Sequence, residues 1–214
     1  MRVNLEARAA TAENRRAKTR ERLLDAATEV ISRKGPEAAS IEDFVAAAGV
    51  SRGTFYNYFP AIGDLIIALN ARVSSAMVQA LGPVPPHQDV AVRFATVLHH
   101  ILATFTADPV QGWMALRLSE SGAPTDPSFA ARFDALFLRG VEQGRFSKSA
   151  NVVAARNIVV GAFRMAQRDI FRGDAPPDHG IQVVALLLIA CGLPDDEAHQ
   201  ISRTCAESAR RTPA

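Results

Sequence analysis

Between Ser40 and Pro60 the chain sets two short amphipathic segments around Ala48-Gly49-Val50, and no other stretch limits its fold so tightly. Ser40-Ile41-Glu42-Asp43 is a capping-box pattern, in which a hydroxyl satisfies free backbone N–H groups and a carboxylate three residues on sits at the positive end of the helix. Ile41, Phe44, Val45 and Ala48 then fall on one helix face. Gly49 supplies a bend that residues bearing a Cβ resist. Ser51 caps a second short helix through Asn57, which Pro60 ends. With Phe44, Val45, Val50 and Phe55 as a small core, this pair reads as a helix-turn-helix whose second helix is held outward.

The rest of the chain carries the helical period, and β-branched alternating runs bounded by hairpin turns are missing. The fold expected is all-α, with an N-terminal three-helix head carrying the helix-turn-helix, followed by a larger helical body. A first helix is predicted over about Arg16 to Lys34, with Leu23, Leu24, Ala27, Val30 and Ile31 on one face and Gly35-Pro36 as its stop. A long fourth helix is predicted from Asp64 to about Leu81. Further helices are expected at Asp89 to Ala107, Val110 to Ser119, Pro127 to Gln143, Ser149 to Phe171, Asp178 to Cys191 and Asp195 to Arg210. Gly82-Pro83-Val84-Pro85-Pro86 and Gly122-Ala123-Pro124 read as loops between them. The organisation expected is a flexible basic arm over residues 1–16, a helix-turn-helix domain over 17–77 with its motif at 40–59, and a larger helical domain over 78–214.

The exposed positions of the second short helix suit a base-pair edge. Arg52 can grip guanine bidentately, Thr54 can meet a thymine methyl and Asn57 can pair with adenine, while Gly53 lets the backbone come close. Tyr56 and Tyr58 can donate to phosphate oxygens, as can Ser40 at a helix N-terminus. A net charge of +2 announces no nucleic-acid partner by itself. Its distribution does more: the first 22 residues hold seven basic side chains against Glu6, Glu13 and Glu21, and Arg15, Arg16, Lys18 and Arg20 stand where an arm could reach a flanking groove or the phosphate backbone. The same charges also read as an ordinary solvated helix face.

The continuous string from Ser40 to Phe59, S-I-E-D-F-V-A-A-A-G-V-S-R-G-T-F-Y-N-Y-F, closely resembles the DNA-binding signature of the TetR family of bacterial regulators, and Thr19 to Ala27 resembles that family's first helix. The resemblance covers about the first third of the chain. It implies DNA contacts at Ser40, Ser51, Arg52, Gly53, Thr54, Tyr56, Asn57 and Tyr58, with Phe44, Phe55 and Phe59 as supports. One position departs: where the family usually has lysine at the start of the fourth helix, this sequence has Ile62. One phosphate contact is thereby lost, and the basic arm is the expected substitute.

The body shows no catalytic signature. His99 and His100 are adjacent, so they point to different helix faces and make a poor joint site. Its apolar content suits a small-molecule pocket, and the family resemblance implies one. Candidate ligand contacts are Phe105, Trp113, Arg117, Phe133, Phe163 and Gln167, each of which also reads as ordinary core. Val152, Val153, Ala155, Ile158, Val159 and Ala162, with Ile181, Val184, Ala185, Leu188 and Ile189, are aliphatic enough for a four-helix seam between two copies, and burial inside one copy is the rival reading.

The expected function is a homodimeric, cytoplasmic transcriptional regulator, a repressor released from a palindromic operator on double-stranded DNA by an apolar effector. Cofactors, metals and membrane association are not expected: Cys191 and Cys205 form no zinc or disulfide pattern, the N-terminus lacks a signal-type apolar core, and the apolar run Val183 to Gly192 is about half a membrane span. Two alternatives share these residues, namely an effector-independent or architectural DNA-binding protein and, more remotely, a helical enzyme.

Overall fold

The computed structural model describes residues 2–81, 89–121, 127–148 and 151–211. The loops expected at Gly82–Pro86 and Gly122–Pro124, and Ser149, lie outside them. Among the described residues there are α-helices and no strands. They run α1 (Arg2–Lys34), α2 (Ile41–Ala48), α3 (Arg52–Tyr56), α4 (Ile62–Leu81), α5 (Val90–Ala107), α6 (Pro109–Glu120), α7 (Pro127–Glu142), α8 (Val152–Arg172), α9 (His179–Cys191) and α10 (Asp195–Arg211).

The first helix corrects the expectation of a start near Arg16. It begins at Arg2 and continues for 33 residues, so the stretch expected to be a flexible arm is helical. The residues account for this: Ala9, Ala10, Ala12 and Ala17 are strong helix formers, and neither Gly nor Pro occurs before Gly35.

The chain divides into two compact units, one of residues Met1–Ala71 with Trp113–Pro124, the other of Arg72–Gly112 with Thr125–Ala214. The divide thus falls within α4, at Ala71/Arg72, rather than at 77/78. The return of Trp113–Pro124 to the first unit has no local sequence signal, because it rests on long-range contacts. Arg117 Nε donates to the Ser32 carbonyl at 3.1 Å.

In the first unit Leu23, Leu24, Ala27, Val30 and Ile31 of α1 are buried with Phe44, Phe55, Phe59, Leu65 and Leu69. The Phe44 and Phe55 rings stack with centroids 6.4 Å apart, and Phe59 closes on Phe55 at 5.9 Å. This aromatic wedge is what a five-residue helix needs, since α3 is far too short to persist alone.

In the second unit α5 is central, burying Val90, Ala91, Phe94, Ala95, Val97, Leu98, Ile101, Leu102 and Phe105. Its 18 residues have a mean hydropathy of 1.4, long and apolar enough for a span, yet most of the helix is buried in this unit. Phe94, Phe133, Phe137 and Phe146 form one cluster, with centroid distances from 5.3 to 6.4 Å. Helix α10 packs on α5 and α9. Arg145 joins Asp89 at 3.1 Å to Glu197 at 2.6 Å, tying the start of α5 to the start of α10.

Four of the eleven residues of the expected dimer seam are core of this unit. Val159, Val184, Ala185 and Leu188 are buried. Helix α9 is apolar on nearly every side, so sequence alone could not separate its inward stripe from the outward one at Gln182, Leu186 and Ala190. Both cysteines are buried and unbridged, and burial pushes the Cys191 thiol up to about 11.

Candidate nucleic-acid interface

The site begins with the Ser40 cap. Asp43 N donates to Ser40 Oγ at 3.3 Å, while the Asp43 carboxylate accepts from Ser40 N at 3.0 Å and from the Ser40 hydroxyl at 2.8 Å. The box that the pattern announced is therefore complete. Lys34 Nζ adds a 2.6 Å ion pair from the end of α1. That ammonium, together with the Ser40 donors, holds the Asp43 carboxyl at about 2, below its usual range. The Ser40 hydroxyl proton is given to Asp43, so in this state Ser40 is a helix cap.

Gly49 follows with φ 61° and ψ 41°, the left-handed conformation that suits glycine, and its N–H returns to the Val45 and Ala46 carbonyls. Only after this reversal can Ser51 open α3. Thr54 N donates to Ser51 Oγ at 3.0 Å, and the two hydroxyls lie 2.8 Å apart. Phe55 is the inward residue of α3, which turns Arg52, Gly53, Tyr56 and Asn57 to solvent, with Thr54 half-buried beside them. Asn57 ends the helix as its C-cap.

Arg52 does not wait alone. Its Nη1 pairs with Glu42 of α2 at 2.6 Å, its Nη2 donates to the Tyr56 hydroxyl at 3.3 Å, and its guanidinium lies over the Tyr56 ring at 5.8 Å. The Tyr56 hydroxyl and then the Glu42 carboxylate raise the guanidinium above its usual range. Both members of the ion pair are more than half exposed, so the pair holds the arm in place and can be exchanged for another partner.

The helical extension of α1 builds a second wall. Arg8, Thr11, Ala12, Arg15, Arg16 and Thr19 recur on one helical face and, with Thr54, Asn57 and Tyr58, line an open groove of about 810 Å³. Arg16 lies over the Tyr58 ring at 5.9 Å and Arg20 over Phe59 at 5.5 Å, which fixes the groove's base to the end of α3. Of the basic residues expected here, Arg15 and Arg16 line the groove and Lys18 does not. Arg8 and Glu42 were missed. Arg8 becomes legible only if the helix reaches it, and Glu42 only if α2 and α3 are packed together. Ile62 is the first residue of α4 and half-buried, carrying no charge where the family pattern has one.

The six expected ligand contacts are divided between the two units. Phe105, Phe133, Phe163 and Gln167 belong to the second unit and are buried, Phe133 within the aromatic cluster. The Gln167 Nε2 is buried with no hydrogen-bond partner among the described residues. Trp113 and Arg117 belong to the first unit, where the Arg117 guanidinium stacks over Trp113 at 5.5 Å. No cluster of three or more metal-ligating side chains occurs among the described residues.

Comparison with known proteins places the same segment at the centre. Residues 23–69 match the family described as bacterial regulatory proteins, tetR family. Over 49 residues, 23% of this chain, the sequence is 53% identical to the uncharacterized HTH-type transcriptional regulator YvdT of Bacillus subtilis (strain 168), of which 25% is covered. Over 97 residues, 45% of this chain, it is 30% identical to the HTH-type transcriptional repressor KstR of Rhodococcus jostii (strain RHA1), of which 45% is covered. The match thus spans less than half the length of these curated relatives. The fold extends further: the structure of RolR in complex with resorcinol superposes with a TM-score of 0.64 and 24% identity, over 94% of this chain and 98% of that one.

Proposed function

We propose that the head of this chain is a DNA-binding domain of the TetR family of bacterial regulatory proteins and that the protein is a homodimeric, cytoplasmic transcriptional regulator. It binds a palindromic operator on double-stranded DNA as a repressor and is released when a small apolar effector occupies its helical body. The observation that carries this reading is the presentation of Arg52, Gly53, Thr54, Tyr56 and Asn57 on a helix anchored by Phe55, beside a groove lined by Arg8, Arg15 and Arg16.

The roles follow from reach. Arg52, Thr54 and Asn57 read base edges in the major groove, and Gly53 admits the backbone. Tyr56, Tyr58 and Ser51 position the head on phosphates, with Ser40 contributing through its helix N-terminus. The arginine groove and Lys18 supply the sequence-independent attraction that Ile62 does not.

Dimerisation is supported by apolar side chains that one chain leaves in solvent. Ile158 is 57% exposed and Leu186 is 59% exposed, with Val153 and Met165 exposed on the same pair of helices, α8 and α9. Two heads then meet half-sites about one duplex turn, roughly 34 Å, apart.

Effector control is supported by the buried Nε2 of Gln167, which has no hydrogen-bond partner among the described residues, and by the fold shared with a protein solved with resorcinol. Phe105, Phe133 and Phe163 of the second unit are the proposed apolar contacts, with Gln167 as the polar one. Helices α4 and α6 each have residues in both units, and Arg117 holds the Ser32 carbonyl at the end of α1, so both are candidate transmitters. The effector acts through its different affinities for DNA-competent and DNA-incompetent states. No enzymatic step is assigned.

Selection of bound duplexes from a random pool tests the reading. It should enrich an inverted repeat, and a pool that yields no repeat would refute it.

A further inference from the structure

The second unit contains a cavity that shares no residue with the proposed DNA or effector contacts. It has a volume of about 340 Å³ and is walled by α5, the end of α8, the turn carrying Pro176 and Pro177, the start of α9, and α10. This lies within the range of roughly 300 to 1,000 Å³ typical of small-molecule sites.

Its lining is Leu, Ile, Ala, Pro and Gly, with His99 and Thr106 as the polar members and no Asp, Glu, Lys or Arg. His99 is 5% exposed and Ser202, behind it, is 0% exposed. The Ser202 hydroxyl donates to the Ile181 carbonyl at 2.8 Å, so its 3.0 Å contact with His99 Nε2 has the imidazole donating. The Thr106 hydroxyl donates to the Leu102 carbonyl at 2.7 Å. Both hydroxyl protons are committed within the protein. The exposed Thr106 therefore offers a guest its acceptor oxygen, in a lining whose only other polar side chain is His99. A carboxylate or phosphate entering it meets no lysine or arginine and loses its hydration.

We propose that this cavity is a second small-molecule site, selective for neutral hydroxylated compounds of the phenol or small-alcohol class. The guest's hydroxyl donates to Thr106 Oγ1, and its apolar part fills the space bounded by Ala103, Ala209 and the two prolines. The site goes beyond the regulator reading and stands whether or not the chain binds DNA.

Phenol is the probe, titrated into the full chain while methyl NMR shifts are followed at Leu102 and Ile181. Saturable shifts at both are expected. Ala209→Leu, which fills the cavity, should weaken phenol at least tenfold, and Thr106→Val, which keeps the shape and removes the acceptor, about 2- to 12-fold. Benzoate should not saturate. Unchanged phenol affinity in both variants, equal binding of benzoate, or no saturation below about 10 mM phenol would each overturn the proposal.

Discussion

In the free protein the residue expected to read guanine is already engaged: Arg52 pairs with Glu42 at 2.6 Å. Meeting a base requires exchanging that carboxylate, so Glu42 competes with DNA. An exposed ion pair of this kind shifts an equilibrium by a factor of about 1.4 to 5, because solvent screens it and two side chains lose freedom. Glu42→Gln should therefore tighten binding to a selected duplex by about that factor. It also removes a negative charge near phosphates, which tightens binding without involving Arg52. The double-mutant cycle separates the two effects. Fluorescence anisotropy at one fixed salt concentration should give a larger gain from Glu42→Gln in the wild-type background than in Arg52→Ala. Equal gains in both backgrounds would refute the competition and leave only general electrostatics.

Other consequences are as direct. A Cβ at Gly49 would meet nothing within 4 Å, so Gly49→Ala acts through φ 61° alone and should destabilise the head by about 1–2 kcal/mol in a denaturant titration, with Gly49→Asn costing less. Because the Asp43 carboxyl is held at about 2, its contribution to stability is fully present above the ordinary carboxylate range and is lost as pH falls through about 2. Asp43→Asn should remove that part of the acid transition, as followed by circular dichroism. Ile158→Glu places a charge on a residue 57% exposed in the single chain, so sedimentation should give a dimer for the parent and a folded monomer for the variant.

The head was largely legible in sequence, because its determinants are local. A capping box, one left-handed glycine and two aromatic residues at helical spacing specify α2, the turn and α3 within twenty positions. What was hidden depends on contacts between elements. Helix α1 reaches back to Arg2 because nothing interrupts it, yet a basic run without apolar periodicity reads as an arm. The Glu42 partner of Arg52 is ten residues away and on another helix. In the body, the aromatic residues taken as ligand contacts include Phe133, which spends its face on Phe94 and Phe137. Helices apolar all round give a period but no direction, so core, seam and pocket were indistinguishable until they were packed.

The central claim is that α3 reads bases through Arg52. Affinities of the wild type and Arg52→Ala for a selected inverted repeat and its single-base variants test it most directly. The account predicts a loss of roughly 5- to 150-fold on the parent duplex and a preference that relaxes at one guanine in each half-site, with the others retained. A uniform loss across all variants would make Arg52 a phosphate contact and contradict the account.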